Sequence, residues 1–254
     1  MFSKSAILAV AAALAVQSGP SAADSLGFRF ADVMIGGQST QGDLQSTVRA
    51  TADFAITQNH GLQLDLGVVG YGSDYLGQID GHLYMTPNET AKYGLYFSLA
   101  DMNGREATIG VVGVEAMFAL SDSTTLHGRA GLGMSMPGNA EFITASAGLA
   151  QAIGDQVALL ADVTVTEFDE ASFSAVGSSI RLGISYQPEA RPWEIYAGLA
   201  RDGLTGRDAA AFETRAELGF TLHLGAGGGA KRSLATRGFA SPQPLDPLLR
   251  RGLF

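Results

Sequence analysis

The sequence predicts an all-β fold, a transmembrane antiparallel up-and-down β-barrel of about 12 strands, and three observations predict it. The first is the rhythm of stretches such as residues 61–72, where Leu62, Leu64, Leu66 and Val68 alternate with Gln63, Asp65 and Gly67. Strict alternation is the period of a strand, so one face wants an apolar solvent and the other a polar one. The second is the absence, after the N-terminus, of any apolar run of about 18 residues, the length a spanning helix needs. The third is the make-up of the polar face. It is mostly glycine, serine, threonine and alanine with single charges, which suits the crowded inside of a narrow barrel. The outer surface of a soluble sandwich would be rich in lysine and glutamate instead. Charged residues are only 16% of the 254-residue chain, below the roughly 25% usual for soluble domains.

In chain order, residues 1–4 give a short basic start ending in Lys4, 5–16 are almost wholly small and apolar, and Ser21, Ala22 and Ala23 precede Asp24. This is the pattern of a signal peptide over 1–23, cleaved after Ala23, and the apolar run is too short for a comfortable membrane anchor. The barrel is expected over 24–225. Its strands are read at 27–36, 46–57, 62–73, 75–86, 91–102, 107–120, 125–135, 140–152, 156–168, 173–186, 193–202 and 213–225. Turn formers separate them, among them 58–61, 87–90, 121–124, 153–155 and 187–192 after the even-numbered strands. The odd-numbered strands end at short connections and at a longer loop over 202–212. With the N-terminus in the periplasm, the even-strand turns face inward and the odd-strand connections face outside. Strand 1, with Phe28, Phe30 and Met34 sharing a face with Asp32, and strand 8, nearly all small residues, are less clean. Without them the count falls to ten.

A charge facing lipid at midplane costs about 2–4 kcal/mol for Arg or Lys, so the strand charges should face the lumen. Arg49, Asp53, Asp65, Asp80, Glu115, Arg129, Asp162, Arg181, Arg215 and Glu217 are the expected lumen-lining set, meeting across the barrel and pairing. Tyr84, Tyr93, Tyr186 and Trp193 lie near the even-strand turns and are expected to form an aromatic girdle. Residues 226–254 break the pattern. A glycine-rich start is followed by Lys231, Arg232, Arg237, Arg250, Arg251 and three prolines, which reads as a basic flexible periplasmic tail. The sharper alternatives are a partial plug of the lumen or a contact with an acidic periplasmic surface. Phe254 ends the chain, but the residues before it do not alternate.

Other chemistries find little support. The net charge of −9 argues against a nucleic-acid partner, and zero cysteines exclude disulfides and thiolate metal sites. The four histidines, His60, His82, His127 and His223, lack metal-ligand spacing. His82 with Asp80, and His127 with Arg129, are the nearest to a pair, and no serine sits in a nucleophile elbow. Residues 225–231 echo a phosphate loop but lack the glycine before the lysine. No enzyme activity, cofactor or metal is expected.

Two segments carry a resemblance. Gly81-His82-Leu83-Tyr84-Met85-Thr86-Pro87-Asn88-Glu89-Thr90-Ala91-Lys92-Tyr93-Gly94-Leu95-Tyr96 resembles a strand–turn–strand of proteobacterial outer-membrane β-barrel proteins of the porin-like kind, and Val111-Val112-Gly113-Val114-Glu115-Ala116 resembles the strand after it. The resemblance covers about the middle third of the chain. It implies an outer-membrane location in a Gram-negative bacterium, with lipid, the barrel-assembly machinery and small solutes as partners, and passive diffusion as the activity. It carries no catalytic residues. The alternatives are a closed structural or surface-interaction barrel, a rim enzyme acting on lipid, and a secreted soluble β-protein. The lack of a long inward-folded loop favours a monomer.

Overall fold

The computed structural model describes residues 27–40, 43–71, 74–103, 107–136, 140–170, 173–189, 191–225 and 230–249. The expected signal peptide, residues 1–23, lies outside these. Twelve strands follow one another: β1 (Gly27–Thr40), β2 (Asp43–Ala55), β3 (His60–Tyr71), β4 (Asp74–Asn88), β5 (Ala91–Asn103), β6 (Ala107–Ser121), β7 (Thr124–Met136), β8 (Ala140–Ile153), β9 (Val157–Asp169), β10 (Ser174–Tyr186), β11 (Trp193–Thr205) and β12 (Ala210–Gly225). Each pairs antiparallel with its neighbours in sequence. β1 also pairs with β12, from Phe30 opposite Gly225 to Ser39 opposite Ala216, and closes the barrel. Closure leaves no sheet edge, which is what a β-structure in hydrocarbon requires.

β1 and β8 are full members of the barrel. The untidy alternation of β1 has a local cause. Its register against β2 shifts between Phe28 and Phe30, so Phe28 is exposed while Phe30 is buried. An extra residue on one strand breaks period-2 alternation at that point. The expected 202–212 loop is also shorter than read, because β11 runs on to Thr205 and β12 begins at Ala210.

The outside is apolar around the circumference. Ile79, Leu95, Val112, Leu132, Leu182 and Leu218 come from six strands and all are exposed, Leu218 at 66%. A soluble protein rarely shows an apolar patch above a few hundred Å², whereas a continuous belt is what lipid covers.

The interior is occupied by the chain itself. Residues 230–249 run through the lumen from the end that carries the even-strand turns, here the turn end, to the opposite, loop end. Ala230 N–H donates to Asp155 O (3.2 Å) in the β8–β9 turn. At the loop end a single helical turn, α1 (Asp246–Leu249), sits in an apolar cluster. The flexible periplasmic tail read from composition is therefore corrected for these residues. Leu234, Phe239, Leu245, Leu248 and Leu249 are buried, each 5% exposed or less. Their irregular spacing fits no helix or strand period, but the lumen offers each an apolar partner. Residues 250–254 lie outside the described residues.

Candidate functional site

The lumen is built in two zones. At the loop end its wall is apolar: Tyr71, Leu76, Met102, Ile109, Phe142 and Phe168 project inward and meet Leu245, Leu248 and Leu249 of the segment. Fully burying a leucine is worth about 1.5–3 kcal/mol, so these three form a firm stopper. At its edge Asp246 accepts from Tyr71 Oη (2.8 Å) and faces Arg215 Nη2 (3.5 Å).

Away from the loop end the wall is charged, and the expected lining residues fall into small networks. Asp53 accepts from Tyr84 Oη (2.6 and 2.8 Å) and lies 3.9 Å from Arg29. Asp65 accepts from Thr51, from Gln63 Nε2 (2.8 Å) and faces His82 Nε2 (3.0 Å). Asp80 accepts from Gln78 Nε2 (2.8 Å). Glu115 faces His82 Nδ1 (2.6 Å) and Arg129 (3.8 Å). Asp162 pairs with His127 Nε2 (2.7 Å). Arg181 pairs with Glu217 (2.9 Å), and buried Arg215 joins Asp202, Glu217 and Gln38. Arg49 lines a cavity of about 220 Å³ with Asp32, Asp65 and Arg232. All ten thus lie on the inner side.

The histidine pairs differ from the reading. His82 bonds Asp65 and Glu115 rather than Asp80, and His127 bonds Asp162 rather than Arg129. His82 reaches Asp65 on the adjacent β3 and Glu115 on β6, across β5, while His127 on β7 and Asp162 on β9 meet over Gly148 of β8, where a Cβ would not fit. His223 bonds Asp32 (2.6 Å) and lies 3.4 Å from Glu194. Among the described residues, no group of three histidine or carboxylate side chains is arranged to hold a metal ion.

The girdle needs one correction. Tyr93 and Tyr186 are exposed, and Trp193 stacks on Phe220 (6.1 Å between centroids). Tyr84 is not on that face. It is 2% exposed and points into the lumen, because Leu83 takes the outward position and alternation sends its neighbour inward.

Small inward residues have a purpose. The ring of Tyr96 lies over Gly113 and Gly131, and the ring of Tyr196 lies over Gly183 and Gly198. A Cβ at any of the four would overlap the ring. Glycine lets an inward aromatic lie flat on the wall of a narrow barrel. Across β7–β10 the small residues Thr144, Ser146, Thr164 and Ser179 leave a polar cavity of about 90 Å³ beside the segment. A second cavity toward the turn end, about 210 Å³, is lined by Asp32, Glu194 and Arg232.

The opposite wall holds the segment. Lys92 Nζ donates to Arg237 O (2.8 Å), Arg129 to Ala240 O, and Gln78 Nε2 to Pro242 O (2.8 Å). Gln63 donates to Phe239 O and accepts from Phe239 N–H, both at 2.8 Å. Arg232 of the segment pairs with Glu194 (2.8 Å) near the turn end. Alternation already places Gln63, Gln78 and Lys92 on the inner face. What it could not reveal is that their partners are main-chain atoms more than a hundred residues later.

In solved structures the barrel is similar to an outer-membrane channel from Pseudomonas putida F1 (TM-score 0.57, 12% identity, 82% of this chain and 100% of that one). It is also similar to NanC porin (TM-score 0.54, 10% identity, 76% and 98%) and KdgM porin (TM-score 0.53, 10% identity, 75% and 98%). No protein-family model matches the chain, and no curated protein matches it by sequence. At such identities the likeness is one of fold. Fold and lumen together define the class: a 12-stranded barrel with the architecture of outer-membrane porins and channels, threaded by its own C-terminal segment.

Proposed function

We propose that the protein is an outer-membrane, porin-like channel for passive diffusion of small solutes, held closed by residues 230–249. The observation that carries this reading is the contrast between an apolar outer belt and a closed, charged lumen with carboxylates and cations on many strands. Charges of both signs facing a water-filled passage tune ion preference. In this reading residues 1–23 direct export, the barrel inserts with its turn end toward the periplasm, and it acts as a monomer. We assign it no catalytic step. The bonds of His82, His127 and His223 go to carboxylates and, for His223, also to Arg232, an arrangement that serves structure.

Conductance of the refolded protein in a planar lipid bilayer tests this, with and without residues 226–254. Discrete current steps once the segment is removed support the channel, and Asp65→Asn or Arg181→Gln should then shift its ion selectivity. A second reading, a closed structural barrel, is favoured by the three-leucine stopper. Insertion without conductance in either form would establish that reading and end the channel proposal.

A further inference from the structure

The bonds that hold residues 237–242 are unusual for a plug in what they read. Five hydrogen bonds from four wall side chains go to main-chain atoms of Arg237, Phe239, Ala240 and Pro242. The amide of Gln63 does for Phe239 what a neighbouring strand would do, donating to its carbonyl and accepting from its N–H. This is recognition of an extended peptide backbone, indifferent to side chains.

One side chain is read as well. The ring of Phe239 stacks on His82, 5.6 Å between centroids and 9° from parallel. The edge of Tyr84 meets it at 5.8 Å, and the Lys92 ammonium lies 4.8 Å from its centroid. The preceding position is tight. A Cβ on Gly238 would stand 3.2 Å from Gln63 Oε1 and 3.4 Å from Phe30.

The array is held by the wall rather than by the segment. Gln63 is fixed by Asp65, Gln78 by Asp80, His82 by Asp65 and Glu115, and Tyr84 by Asp53. Donors oriented by their own scaffold stay oriented when the occupant leaves, which is preorganisation. The resident, for its part, is imperfect. Among the described residues Arg237 Nε is buried without a hydrogen-bond partner, and burial together with nearby Arg232 lowers its pKa to about 10.

We infer that the luminal wall of β3, β4, β5 and β7 is a binding site for an extended oligopeptide, read through its main chain and anchored by one aromatic residue after a small one, with residues 237–242 as its resident occupant. The inference rests on the channel reading for the route by which a peptide arrives, and it narrows the solute class to short peptides.

The test reads binding and leaves conductance aside, so the two readings fail separately. Full-length protein with a protease site placed within residues 226–229 is refolded and cut, which turns the segment into a peptide held in trans. Exchange with a fluorophore-labelled peptide of residues 230–249 is followed by polarisation, with heat-modifiable migration as the check of folding. The labelled peptide should exchange in. An unlabelled peptide of residues 236–243 should compete, whereas its scrambled version should not. N-methylation at Phe239 should weaken binding about tenfold in the parent barrel, since it removes the N–H that Gln63 accepts. In the Gln63→Ala barrel the same methylation should cost less than about twofold, because the coupled partner is gone. Equal penalties in both barrels would overturn main-chain reading. Equal competition by the scrambled peptide, or no exchange at all, would overturn the site.

Discussion

The two ends of the lumen hold the same segment by opposite means. At the loop end Leu245, Leu248 and Leu249 fill a ring of inward apolar residues, and the cavity between them and that ring is only about 20 Å³. At the turn end Arg232 and Lys231 hold by charge, and cavities of about 210 and 220 Å³ remain beside Arg232. An apolar seal excludes water and is indifferent to salt, while an ion pair in a wet vestibule is screened. The closure is therefore one-sided. The loop end is the stopper and the turn end is a tether that water reaches.

The largest test of that asymmetry is Leu248→Asp. It drives a carboxylate into the apolar ring at a desolvation cost of several kcal/mol, so the loop end should open and bilayer recordings should gain current steps. Next comes Arg215→Ala. This buried guanidinium neutralises Asp202, Glu217 and Asp246, and its loss leaves buried carboxylates uncompensated at about 3–5 kcal/mol. The urea midpoint of the refolded barrel should fall accordingly. At the tether end, Glu194→Gln removes a partly buried partner of Arg232. Binding of the segment, read by exchange from the cut protein, should weaken by about 1.5–3 kcal/mol, and by less in high salt.

Arg237 should act in the other direction. Its lowered pKa means that burial penalises the charged form, so the seated segment is destabilised wherever Arg237 is protonated. Stability of the seated state should rise as pH climbs above about 10 toward the ordinary, higher arginine range. Arg237→Met should remove that rise and tighten seating at neutral pH, measured by the same exchange. The smallest effect belongs to Lys231→Ala. The Lys231–Asp155 pair is fully exposed at 2.8 Å, and each group moves the other's pKa toward the charged form, Lys231 upward and Asp155 downward. Its contribution is present above the ordinary carboxylate range, is lost as pH falls through the lowered pKa of Asp155, and is lost again as pH rises through the raised pKa of Lys231. At neutral pH and physiological salt the variant should exchange its segment at the parent rate.

The sequence by itself determined the barrel. Alternation is a property of neighbours two apart, and a strand in lipid enforces it at every step, so the strands and the inward set from Arg49 to Glu217 are legible one residue at a time. Where a register shift intervenes, at Phe28 and Phe30, the legibility fails for that reason alone. Tyr84 was misplaced because proximity to a turn says nothing about which way a side chain points. Only the tertiary structure decided what fills the lumen. Residues 230–249 have no period, since each of Leu234, Phe239 and Leu248 answers to a partner on a distant strand. Nor does the choice of Asp65 and Glu115 over Asp80 for His82 follow from any local spacing. Such contacts exist only once twelve strands have closed, because closure is what brings β3, β4, β5 and β7 within reach of one extended chain.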